Sequence, residues 1–129
     1  MKMVLIGVGG AIGAVARYIV SGLDYGLYYG AFPVSTLVIN LSGSLIIGFL
    51  WGLFEVVSVS SNMRMFIFIG ILGGFTTFSS FALENFNLLR DGEKSAVIFN
   101  IAISNILGIL LVYAGYALAK TLTAVVRQF

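Results

Sequence analysis

The chain has no cysteine and no histidine among its 129 residues. Without cysteine there is no disulfide framework and no thiolate chemistry. Without histidine it lacks the commonest metal ligand and the usual proton shuttle at neutral pH. Charge is scarce as well: seven Lys or Arg and five Asp or Glu make 9% of the chain, where a soluble domain carries about 25%. With so few carboxylates and no His or Cys, no nucleophile–base pair can be assembled, so an enzyme is not expected. The basic residues are scattered, with no patch to follow a phosphate backbone, and nucleic acid is not an expected partner.

What the chain has instead is apolar length. Sixty per cent of its residues are hydrophobic and the mean hydropathy is +1.08. Uncharged stretches cover 3–16, 25–54, 65–83 and 95–119, and about 20 apolar residues cross a bilayer. The expected fold is an all-α membrane protein, a single domain over 1–129 embedded in a lipid bilayer. Its four transmembrane helices are expected at about 3–21, 33–57, 63–89 and 95–122, the third broken near 73–77. A signal peptide is disfavoured at the N-terminus by its glycines, by Arg17 and by the three spans that follow. Gly9 and Gly13, like Gly10 and Ala14, are four apart and form a small-residue face suited to close helix packing. Tyr25, Tyr28 and Tyr29 suit the headgroup level between the first two spans. Pro33 suits the start of the second helix, and 90–94 reads as a solvated loop.

Positive charge barely orients the chain. Lys2, Arg64, Lys120 and Arg127 fall on one side, and Arg90, Lys94 and a snorkelling Arg17 on the other. Four against three is almost no bias. The balance fits insertion in both orientations and an antiparallel homodimer, or one orientation set by a small excess.

Polar residues in the spans are costly toward lipid, so Thr36, Asn40, Asn100, Ser104, Asn105 and the hydroxyls of Thr77, Ser79 and Ser80 are expected to turn inward. This is a track of neutral donors, which suits an anion; interhelical hydrogen bonding is the alternative. Gly73-Gly74-Phe75-Thr76-Thr77 is a poor helix interior, and irregular backbone at membrane depth survives only when buried or lining a cavity. Its freed carbonyls form a hard-oxygen cage for a small cation, and two such breaks meeting at a dimer axis would share one ion. Phe78 and Phe81 share a face, and ring edges are electropositive.

Three segments occur in one order: Gly9-Gly10-Ala11-Ile12-Gly13-Ala14-Val15-Ala16-Arg17-Tyr18; Pro33 with Thr36 and Asn40-Leu41-Ser42-Gly43; and Gly73-Gly74-Phe75-Thr76-Thr77-Phe78-Ser79-Ser80-Phe81. Together they resemble the Fluc, or CrcB, family of microbial fluoride channels, over the whole chain. The third segment is the specific one. The resemblance implies an antiparallel, dual-topology homodimer with two fluoride pores in a prokaryotic plasma membrane, lowering cytoplasmic fluoride. It implies Phe78 and Phe81 as the aromatic box, Asn40 as a fluoride contact, Ser79 and Ser80 on the hydroxyl track, and Arg17 at the vestibule. It also implies a structural sodium ion on the carbonyls of Gly73 and Thr76. Threonine is common where Ser80 stands, a departure that keeps the hydroxyl. The family's tyrosine-to-serine spacing is not matched in the fourth helix, where Ser104 and Asn105 are the candidates.

Two rival readings apply. A proton-coupled exporter needs a carboxylate deep in the membrane, whereas Glu55 and Glu84 lie near helix ends and read as solvated or Arg-paired. A structural membrane subunit without transport leaves the Thr-Thr break unexplained.

Overall fold

The computed structural model describes residues 1–23 and 32–126. Tyr25, Tyr28, Tyr29 and Arg127 lie outside the described residues. Four helices, Lys2–Ser21, Val34–Phe54, Ser61–Arg90 and Lys94–Val126, are long and apolar enough to cross a membrane. We label Lys2–Ser21 α1 and Val34–Phe54 α2. The third span is two helices, α3 over 61–75 and α4 over Phe78–Arg90. The last is α5, Lys94–Val126.

Local chemistry sets the ends. Pro33 stands at the N-cap of α2, one residue before the helix proper, where its missing N–H removes no helical bond. Ser60 caps α3 by accepting the Met63 N–H, as short hydroxyl residues do at helix starts. After α4 the chain turns on Gly92, the one described residue with positive φ (84°), beside an exposed Arg90–Asp91 pair. α5 runs on to Val126, past the expected end near 122.

The helices pack in two close pairs, α1 on α3 and α2 on α5. Lipid tails are as apolar as leucine, so burial between helices brings little hydrophobic gain and small residues drive the approach. Accordingly most large apolar residues are exposed, and the buried apolar set is small: Ile39, Phe54, Leu72, Leu88 and Ala119. Gly9 and Gly13 do face α3 as the small-residue pattern anticipates. A Cβ on Gly9 would lie 2.6 Å from the Phe66 carbonyl oxygen, and one on Gly13 would overlap the Ile71 carbonyl. Gly48 and Gly115 do the same between α2 and α5.

Within α3, Met65–Leu72 is π-helical, and the Gly73 N–H reaches back five residues to the Phe68 carbonyl. Such wider turns are rare and gather at functional sites. This one leads straight into the break.

Candidate functional site

Two residues carry the break. Thr76 (φ −74°, ψ 155°) and Thr77 (φ −147°, ψ 115°) are extended between α3 and α4. Gly73–Phe75 remain helical, so the unwinding falls on the threonines and not on the glycine pair. Thr76 closes α3 twice, its N–H and its Oγ1–H both donating to the Leu72 carbonyl at 3.0 Å. Thr77 opens α4 as its N-cap, its Oγ1 accepting the Ser80 N–H at 3.3 Å.

The hydrogen bonds that would join the two halves are diverted. In a continuous helix the Thr77 N–H would donate to Gly73 and the Ser80 N–H to Thr76, each four residues back. Instead the Thr77 N–H donates to Asn40 Oδ1 at 2.8 Å, and the Ser80 N–H goes to Thr77 Oγ1. Asn40 Nδ2 in turn donates to the Thr77 carbonyl at 3.0 Å. Asn40 thereby replaces the missing helical partner of the Thr77 N–H and adds a second donor to the Thr77 carbonyl, while the carbonyls of Gly73 and Thr76 lose their helical partners. Gly43, three residues on from Asn40, makes room for the break: a Cβ there would overlap the Thr76 methyl.

A cavity of about 390 Å³ opens beside the break. It gathers Asn40, Thr77, Phe78, Phe81, Ser104 and Asn105, and Gly73 and Thr76 line it too. No charged side chain is among its lining residues. The rings of Phe78 and Phe81 sit with centroids 5.8 Å apart and planes tilted by 41°. Phe78 is 79% exposed, so one wall of the cavity is open in the single chain. Asn105 Nδ2 donates to the Ile101 carbonyl at 2.7 Å, and the residue is exposed.

Other expected residues stand apart. Ser79 and Ser80 do not line the cavity; Ser80 Oγ accepts from Thr77 Oγ1 at 3.1 Å, and Ser79 Oγ lies 3.5 Å from that same oxygen. Arg17 is half-buried on α1 and likewise absent from the lining. Among the described residues no His, Cys, Asp or Glu cluster is placed to ligate a metal, so freed carbonyls are the available hard oxygens.

Of the two glutamates, Glu55 is exposed as expected and Glu84 is not. Glu84 is neither solvated nor Arg-paired: its Oε1 accepts the Thr36 hydroxyl at 2.6 Å, and its Oε2 is buried without a partner among the described residues. Glu55, at the end of α2, pairs with Lys120 and takes the Tyr116 hydroxyl at 2.9 Å. The Lys120 hydrogen bond, then that from Tyr116, holds its carboxyl below the usual carboxylate value. Sequence reasoning also missed Asn85, which is 8% exposed and bonded to the fully buried Asn100. An asparagine close after Glu84, near a helix end, gives no signal until the packing of α4 on α5 is known.

Residues 4–116 match the family described as CrcB-like protein, Camphor Resistance (CrcB). Three similar proteins are each called "Fluoride-specific ion channel FluC". That of Parabacteroides distasonis is 41% identical over 127 residues, covering 98% of this chain and 99% of the relative. That of Magnetococcus marinus is 40% identical over 121 residues, covering 93% and 98%. That of Pyrococcus furiosus is 41% identical over 120 residues, covering 92% and 96%.

Proposed function

The chain belongs to the CrcB-like family, and from that premise we propose that it is a fluoride-selective channel for passive export, lowering cytoplasmic fluoride. It is a multi-pass membrane protein, and the family suggests the plasma membrane of a prokaryote. One observation carries the reading: a single cavity at membrane depth joins the Asn40 amide, the Thr77 turn, the two phenylalanines and Ser104 with no charged side chain in its lining. Neutral N–H and O–H groups take the place of an anion's water, and positive ring edges border its path. A cation finds no carboxylate there. A passive channel also needs no acid, base or nucleophile, in keeping with the composition.

A second copy completes the site. Phe78, Ser79 and Gly73 are exposed on one chain, and polar groups facing lipid are costly. An antiparallel homodimer of chains inserted in both orientations would cover that face and bring two breaks together. The residues fit a shared sodium ion: Gly73 and Thr76 are among the carbonyls whose helical N–H partners are lost at the break, both line the cavity, and backbone carbonyls suit a hard cation. Bound there, the ion would neutralise converging carbonyl dipoles and pin the two breaks. Arg17 is assigned to the vestibule and Ser79 and Ser80 to the hydroxyl track by family likeness.

Fluoride efflux from proteoliposomes, read with a fluoride electrode, tests the reading. Fluoride release with chloride retained is expected. Equal chloride release, or no fluoride release from a folded dimer, would overturn it.

A further inference from the structure

Beside the cavity, a buried chain of hydrogen bonds joins α4 to α5. Asn85 Nδ2 donates to the Phe81 carbonyl at 2.8 Å. Asn100 Nδ2 donates to Asn85 Oδ1 at 3.2 Å, and Ser104 Oγ donates to Asn100 Oδ1 at 3.3 Å. Asn100 is 1% exposed and Asn85 8%, so water does not compete for the bond between the two amides.

The direction of the chain is forced by its last member. A carbonyl only accepts, so Asn85 must turn its nitrogen to Phe81. Its oxygen then faces Asn100, which must donate. The Asn100 oxygen then faces Ser104, which must donate as well. Reversing any single amide sets acceptor against acceptor or donor against donor. A hydroxyl has one proton and two lone pairs. Ser104 lines the cavity, and with its proton committed to Asn100 it turns lone pairs toward that space.

We propose that Asn85 and Asn100 are positioning residues that fix Ser104 as a hydrogen-bond acceptor toward the cavity and so make it a conditional donor to an anion. The functional part rests on the channel reading; the bond direction does not. An anion beside Ser104 meets lone pairs until the hydroxyl rotates away from Asn100. That rotation strands a buried acceptor on Asn100, a costly state. The second N–H of Asn40 Nδ2 carries no such penalty. Ser104 therefore holds the ion weakly, as conduction through successive sites requires.

Asn85→Leu tests this through Ser104. The substitution removes the acceptor for Asn100 Nδ2, so the Asn100 amide can turn over and donate to Ser104, freeing the serine proton for the cavity. In proteoliposomes, half-saturating fluoride is expected to fall about three- to tenfold, the range of coupling inside one network. The same substitution in a Ser104→Ala background is expected to produce no shift. Equal shifts in both backgrounds, or none in either, would overturn the proposal. A transport-independent readout is the side-chain amide NMR signal of Asn100 in detergent. Ser104→Ala alone, a mild change at a half-buried site, should displace that signal even if Asn85→Leu does not fold; an unmoved signal would overturn the relay. If the unmodified protein passes no fluoride, the channel reading fails and the NMR result alone decides the relay.

Discussion

The side-chain amide of Asn40 and the backbone of Thr77 exchange two hydrogen bonds, Oδ1 accepting the N–H at 2.8 Å and Nδ2 donating to the carbonyl at 3.0 Å. One side chain on α2 thus does for Thr77 what a neighbouring strand does in a sheet. The broken backbone tolerates membrane depth because Asn40 meets the Thr77 N–H and carbonyl and the freed residues Gly73 and Thr76 line a cavity.

Replacing Asn40 should accordingly destabilise the fold as well as alter transport. Asn40→Leu leaves the N–H of Thr77 without a partner, at about 1–3 kcal/mol for the stranded group, and removes the second donor to the Thr77 carbonyl. Asn40→Asp keeps the acceptor but not the donor and should fall between. Thermal unfolding in detergent measures the order, with wild type most stable.

The phenylalanines should separate transport from assembly. Phe78→Ile removes a ring that is 79% exposed, so the single chain loses little packing. Fluoride flux is expected to drop roughly tenfold, the factor carried by about 1.4 kcal/mol, for Phe78→Ile and for Phe81→Ile. Size-exclusion chromatography should show the same assembly as the unmodified protein. Undiminished flux in both variants would remove the aromatic pair from the path.

Two glycines on α1 offer a matched comparison. A Cβ at Gly13 would lie 2.8 Å from the Phe75 backbone nitrogen, whereas a Cβ at Gly7 meets nothing within 4 Å. Gly13→Ala should lower stability by about 1–3 kcal/mol through overpacking. Gly7→Ala should be neutral, or stabilising by up to about 1 kcal/mol from helix propensity. Melting temperatures of the pair give the comparison directly.

Acid should weaken the end of α2. Glu55 has its folded pKa lowered from 4.5, chiefly by the Lys120 hydrogen bond. The unfolded chain then binds the proton more readily, so this contribution is present above pH 4.5 and is lost as pH falls through the lower folded value. Glu55→Gln should be less stable than wild type at neutral pH, and the gap should close as pH drops below 4.5. The effect is small because the pair is solvated and salt-screened. A gap that widens in acid would reject the assignment.

Much of this was readable before the structure. Four uncharged stretches dictate four spans, because nothing but a helix satisfies its own backbone in lipid. The Gly9–Gly13 spacing announced a contact face, and Gly73-Gly74 followed by paired threonines marked the break to within a few residues. What stayed hidden depends on partners distant in sequence. Nothing in Met65–Leu72 distinguishes a π-helix from an α-helix, since both present the same apolar run. Thr76-Thr77, and not the glycines, unwinds because Asn40 captures the Thr77 peptide 37 positions away. Glu84 reads as solvated because it sits near a helix end and Asn85 gives no signal at all, and only the packing of α2 and α5 against α4 encloses them.

The π-helical stretch also sets a phase. Each residue of an α-helix advances the chain by about 100°, and a wider turn advances it by less, so the π-helical stretch resets the phase of everything after it. α3 must satisfy two angular demands at once: its Gly70 side against Gly9 of α1, and its end delivering Thr77 to Asn40 of α2. Met65–Leu72 is the stretch that reconciles them. Wound as ordinary α-helix with the same number of residues, it would turn further and swing the break away from α2. The pathway would be mis-aimed with every one of its own residues still in place.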